Sequence, residues 1–395
     1  MPDLRLYATA MLLAAGASAL VALAGSWRSR RHAEPREDQH SAPPRVVTVM
    51  ALAAGLVVGY CVLRQRIAWP PSSALDRFLT LVLPAALVIE LLAALPHAPR
   101  WLSWSLRGAL VASMGRILWH GSVYVSAADS EWTPAQTFAA LLICAALTAA
   151  LWGLLAWLAQ RSPPGGSLPL ALSVTLACGG AEIMLAGYIQ GGAATLPICA
   201  ALVGVVAALG LFAKTPNMQA PIGIGVVGLS GLLFIGRFFG GLTTGVALVL
   251  LGAPLLCWLT ELPWLRRRPR WLVGALRLAL VAIPLVILLV LAKREFDRET
   301  APLLTRQRTH GRGAEVMSPV AANEAFHVTL ECSPLAVTAG QSGCNSPSVF
   351  ASPRSAPPSA SSRRSMAMIG SSAAMALTTR QLIESSGGAM SVPSQ

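Results

Sequence analysis

Apolar residues along this chain come in long, nearly unbroken runs, not in the short alternations of a half-buried strand or surface helix. A helix that crosses a bilayer needs about 20 such residues. Ten runs reach or approach that length, at 7–26, 46–63, 78–95, 106–125, 137–158, 168–188, 193–213, 221–236, 241–259 and 271–291. The eighth is short and the fourth carries Arg107 and Arg116. The pattern predicts an all-α integral membrane protein, a polytopic bundle of about ten transmembrane helices over residues 1–292, placed in the cell membrane.

From Lys293 the pattern stops. Residues 293–395 contain no Trp or Tyr and include stretches such as Ser352-Pro353-Arg354-Ser355-Ala356-Pro357-Pro358-Ser359. A Ser/Pro/Ala-rich segment buries too little apolar area to offset its chain entropy, which predicts a low-complexity, disordered C-terminal tail. Only the stretch Ser372–Glu384 has a weak helical tendency.

Composition agrees and narrows the class. The chain is 54% hydrophobic and 12% charged, against about a quarter charged for an average soluble domain. Its mean hydropathy is +0.61. These values exclude a soluble cytosolic enzyme and a disulfide scaffold. The net charge of +13 is almost wholly arginine, since Lys214 and Lys293 are the only lysines. Arg28, Arg30, Arg31, Arg36 and Arg45 follow the first run, and Arg266, Arg267, Arg268 and Arg270 precede the last. Such clusters orient loops toward the cytoplasm and mark the lipid bilayer, not nucleic acid, as the partner. Two loops on one side require an even number of crossings between them, so the arginine-bearing fourth segment has to cross. The first run offers an Ala22-Leu23-Ala24 cleavage pattern, but its barely basic start and the arginines just beyond it read as an anchor.

An ionisable group at membrane depth costs about 2.5–3.5 kcal/mol at a helix centre, so each needs a partner or a purpose. Glu90 and Arg107 flank the short Pro96–Arg100 turn, and an antiparallel hairpin centred near Ala98 and Pro99 brings them level as a structural ion pair. In the fourth span, Ser113, Arg116, His120 and Tyr124 fall within one 80° sector at 100° per residue, a polar stripe on an apolar helix. The stripe is expected to face other helices or a water-filled cavity, with Arg116 near mid-membrane. Glu182 on the sixth span lies in the same half of the bilayer. Arg116, His120 and Glu182, with Tyr124 and Ser113, are therefore the candidates for a substrate or proton-coupling site: arginine grips an oxyanion, while His and Glu exchange protons. Arg237 and Arg277, near span ends, are expected to snorkel to the interface.

Glycine is dense in the eighth and ninth spans, and Gly223-Ile224-Gly225-Val226-Val227-Gly228 matches G-x-G-x-x-G. Without a preceding strand or a following acidic residue this is close helix packing, not a nucleotide loop. Trp residues at span ends form an interfacial belt. No motif calls for a cofactor, there is no metal-ligand spacing, and no soluble-enzyme motif appears. The first five and last five spans show no mutual similarity. Two function classes follow: a transporter or permease for a small solute or ion, with its site on the fourth and sixth spans, and a non-catalytic membrane subunit or scaffold whose buried charges are structural. An intramembrane enzyme calls for a larger loop than any present.

Overall fold

The structure is a computed structural model, and it describes residues 4–31, 45–65, 69–95, 97–121, 133–161, 166–212, 218–262, 265 and 269–314. Among the described residues ten helices follow one another: α1 Leu4–Arg31, α2 Arg45–Val62, α3 Ala74–Ala94, α4 Arg100–Trp119, α5 Pro134–Arg161, α6 Ser167–Leu185, α7 Ile189–Leu211, α8 Gln219–Phe239, α9 Thr244–Glu261 and α10 Arg270–Ala314. No strand occurs among the described residues. Every helix but α4 is long and apolar enough to cross a membrane, so the chain is a multi-pass membrane protein. The exception is 20 residues long, about 30 Å, and owes its lower hydropathy to Arg100, Arg107 and Arg116.

Local chemistry explains several boundaries. Ser73 caps α3: its Oγ accepts from the Asp76 N–H at 3.0 Å, and the Asp76 carboxylate accepts from the Ser73 N–H at 3.2 Å. The helix then widens into one π-helical turn over Phe78–Val82. In α9 the α-helix gives way to a 3₁₀ segment at Ala253–Glu261, where Pro254 has no N–H to continue the ladder. The last helix does not stop with its apolar run at Leu291. It continues to Ala314 through good helix formers such as Lys293, Arg294 and Glu295. Residues 293–314, expected to open the disordered tail, are therefore helical, and the rest of that tail, including Ser372–Glu384, lies outside the described residues.

At the centre lies α8, buried at every residue from Ala220 to Gly236. It touches each helix from α2 to α7, and α9 as well. Glycine allows this contact on all sides. A Cβ on Gly231 would run into the Phe78 ring of α3, and one on Gly236 would stand 2.8 Å from Ile183 of α6. Gly223, Gly225 and Gly228 are helical and buried, in keeping with packing and not with a phosphate-binding loop. Away from this centre, α1, α2 and α7 close on one another through Gly55 against Ser18 and Gly204 against the Ala15 carbonyl.

Candidate functional site

Two helices joined by a tight turn hold a buried ion pair. Arg107 donates from Nε to Glu90 Oε1 at 2.9 Å and from Nη2 to Glu90 Oε2 at 2.8 Å, a bidentate fork. Both are buried, Glu90 at 2% and Arg107 at 7% exposure. The guanidinium also lies 5.1 Å from the Trp104 ring centroid and 5.4 Å from that of Trp152 on α5. Gly223 of α8 makes room for the carboxylate, since a Cβ there would meet Glu90 Cδ at 2.9 Å. The pair lines a small cleft with Arg45 and Gln219 at one end of the bundle.

The polar stripe of α4 lies elsewhere than its sector suggested. Ser113, Arg116 and His120 are exposed, while the same helix buries Arg107, Leu110, Val111, Met114, Leu118 and Trp119 on its packed face. Trp119 docks edge-on against Phe238, with ring centroids 4.7 Å apart. The helix is also shifted along the chain. It ends at Trp119, because Gly121 turns the backbone at φ +65° and Arg77 of α3 donates to the His120 carbonyl, capping the C-terminus. Arg116 is therefore about one turn, roughly 5 Å, from a helix end, and Arg107 is about 10 Å in. Within this helix Arg107 is the buried charge and Arg116 an exposed one.

Glu182 stays buried, at 4% exposure, one turn beyond Cys178 on α6. Its Oε1 finds no hydrogen-bond partner among the described residues. No hydrogen bond or ion pair among the described residues joins it to Arg116 or His120. Tyr124 lies outside the described residues. Beyond the spans, in the turn before α7, burial and then the Asp76 carboxylate push the Tyr188 phenol above its ordinary range.

Arg277 does not snorkel. It is 3% exposed and donates to three groups: Thr260 Oγ1 at 2.7 Å, Ser167 Oγ at 3.1 Å and Glu261 Oε1 at 2.6 Å. It thereby ties α10 to the end of α9 and the start of α6. A signal for this was present in the chain. Pro99-Arg100-Trp101-Leu102 followed by Leu106-Arg107 and Ala109-Leu110-Val111-Ala112 recurs as Pro269-Arg270-Trp271-Leu272, Leu276-Arg277 and Ala279-Leu280-Val281-Ala282, with ten identities in fourteen positions. The two halves of the chain thus do share a stretch. Its turns match as well: the Pro99 carbonyl accepts from the Leu102 and Ser103 N–H groups, and the Pro269 carbonyl from those of Leu272 and Val273. Each arginine stands seven residues into its helix and reaches back to an acid on the helix before.

No known family model, curated protein or solved structure matches this chain. Among the described residues, no three His, Cys, Asp or Glu side chains converge as metal ligands.

Proposed function

We propose that the protein is a non-catalytic membrane subunit or scaffold whose buried charges serve its fold. The observation that carries this is the bidentate Glu90–Arg107 pair. The buried cation of α4 is committed to an acid on the neighbouring helix and lies beside two indoles, which leaves it unsuited to gripping and releasing a solute. Arg277 is committed in the same way. The exposed Ser113, Arg116 and His120 lie where they can meet headgroups or a partner helix.

A second reading, a proton- or solute-coupled transporter using Arg116, His120 and Glu182, is favoured by one feature. Glu182 is a buried carboxyl with an unsatisfied oxygen, and such a group in a membrane helix is where a proton or cation could be taken up. One experiment divides the two. Full-length protein is reconstituted in liposomes loaded with a pH-sensitive dye, and a proton gradient is imposed. The scaffold reading expects the gradient to decay as in empty liposomes. A faster decay that Glu182→Gln abolishes in a folded protein overturns it in favour of transport.

A further inference from the structure

Along one side of α8, the helices α5 and α9 pack together where Trp157 meets Trp258, with ring centroids 4.8 Å apart, and part beyond that point. Between them lies a crevice of about 270 Å³, walled by Ala140, Cys144 and Leu147 of α5 and by Ala247 and Leu248 of α9, with Phe234 of α8 on its floor. That volume is close to the lower bound of small-molecule sites, which run from about 300 Å³. The hydroxyls that reach it are already satisfied by their own helices: Thr148 donates to the Cys144 carbonyl at 2.8 Å and Ser230 to the Val226 carbonyl at 2.7 Å. The walls are thus effectively apolar. Ile143 and Leu248, at 58% and 49% exposure, flank the opening, so it faces the hydrocarbon sideways.

Polarity returns at one end only. Arg237, two residues from the end of α8, donates from Nε to Thr244 Oγ1 at 2.7 Å. The guanidinium also lies 5.8 Å from the Phe238 ring centroid, and among the described residues it has no carboxylate partner. The distance from Arg237 down to Ser230 is seven residues of helix, about 10 Å. A cation at headgroup depth above an apolar slot that opens to the bilayer has the polarity order of a phospholipid.

We propose that this crevice binds an anionic phospholipid, an acyl chain lying between α5 and α9 and the phosphate forked by the Nη groups of Arg237. A guanidinium matches a phosphate in bidentate fashion, and the match is strongest where water is scarce. The preference for an anionic over a zwitterionic lipid comes from Arg237, and the retention of lipid at all comes from the slot.

The test uses full-length protein reconstituted in equimolar phosphatidylglycerol and phosphatidylcholine, extracted in mild detergent and weighed with its retained lipid by native mass spectrometry. Wild type is expected to keep phosphatidylglycerol about tenfold over phosphatidylcholine, because phosphatidylcholine offers the same phosphate but brings its trimethylammonium cation beside the guanidinium. Arg237→Gln should bring the ratio to parity and Arg237→Lys should restore part of it. Ala247→Phe, or Ala140→Phe from the opposite wall should the first fail to fold, should remove both lipids. An unchanged ratio in Arg237→Gln overturns the headgroup assignment, and undiminished retention in the filled variant overturns the slot. Inorganic phosphate that displaces the lipid at millimolar levels or below would likewise overturn it, by showing that the chain contributes nothing.

Discussion

Replacing Arg107 by Met removes the cation from the bundle and leaves Glu90 where it is, 2% exposed and pressed toward the bare face of Gly223. Two charge-assisted hydrogen bonds of 2.8–2.9 Å disappear together. Breaking a buried pair from one side costs about 3–5 kcal/mol, because the remaining charge is uncompensated. At about 2–4 °C per kcal/mol, the melting midpoint in detergent should fall by roughly 6–20 °C. Glu90→Met should cost less, since Arg107 keeps the Trp104 and Trp152 rings, worth from about 0.5 kcal/mol at an exposed ring to about 2 kcal/mol at a buried one. The double variant Glu90→Met/Arg107→Met strands no charge, and methionine is flexible enough to fill both volumes. It should return to within about 1 kcal/mol of wild type, a favourable coupling of at least about 2 kcal/mol. The assay is thermal unfolding followed by near-ultraviolet circular dichroism, with all four proteins in one detergent. A double variant no more stable than the weaker single, or an Arg107→Met loss below about 1 kcal/mol, would show that the pair is not the energetic unit described here.

The second hairpin should behave as the first: Arg277→Met is expected to cost about 3 kcal/mol or more in the same melt, because it removes a buried charge-assisted contact to Glu261 and unties Ser167 and Thr260 together. Two glycine-to-alanine changes should differ in sign. A Cβ on Gly204 meets the Ala15 backbone, which cannot yield, so Gly204→Ala should destabilise by about 1–3 kcal/mol. A Cβ on Gly153 meets nothing within 4 Å, so Gly153→Ala in the middle of α5 should stabilise by up to about 1 kcal/mol, read as a rise in melting midpoint. Arg116→Ala, at an exposed position near the end of α4, should move that midpoint by less than the equivalent of about 0.5 kcal/mol.

Helix number and order were legible because apolar runs of bilayer length have few other readings, and the α3–α4 turn could be used to level Glu90 with Arg107 because a short turn fixes the register of an antiparallel pair. The span of α4 was not legible by the same means. Its apolar run continues past Trp119 to Val125, and what ends the helix is a guanidinium 43 residues upstream closing on the His120 carbonyl. Gly121 marked that end, as glycine after a last helical turn often does, but an apolar count does not weigh a single residue. Arg277 is buried, against the expectation from its position, for a related reason. Proximity to a loop suggested the interface, whereas a hairpin centred on Pro269 levels position 277 with position 261, the arithmetic that had served at Pro99. The orientation of Ser113, Arg116 and His120 required knowing which face of α4 meets α8, and the sector angle of a stripe does not supply that.

The repetition of one arrangement in two hairpins has a physical rationale in how such helices enter lipid. A lone arginine two turns inside a membrane helix costs about 2.5–3.5 kcal/mol on insertion, and a lone glutamate on the preceding helix adds a penalty of its own. Placed 16 or 17 residues apart across a proline-started turn, the two charges face each other as soon as the hairpin closes. Acid and base then enter as one neutral, hydrogen-bonded unit. The start of the second helix does the aligning: the proline carbonyl takes its first N–H groups, and the arginine follows at a fixed two turns. Bringing the pair together thus depends on sequence-local geometry, and the tertiary partners, Trp152 for one pair and Ser167 for the other, are added when the bundle assembles. That division explains why the repeated residues are the turn, the arginine and the apolar ladder after it, while the residues that complete each guanidinium's shell differ.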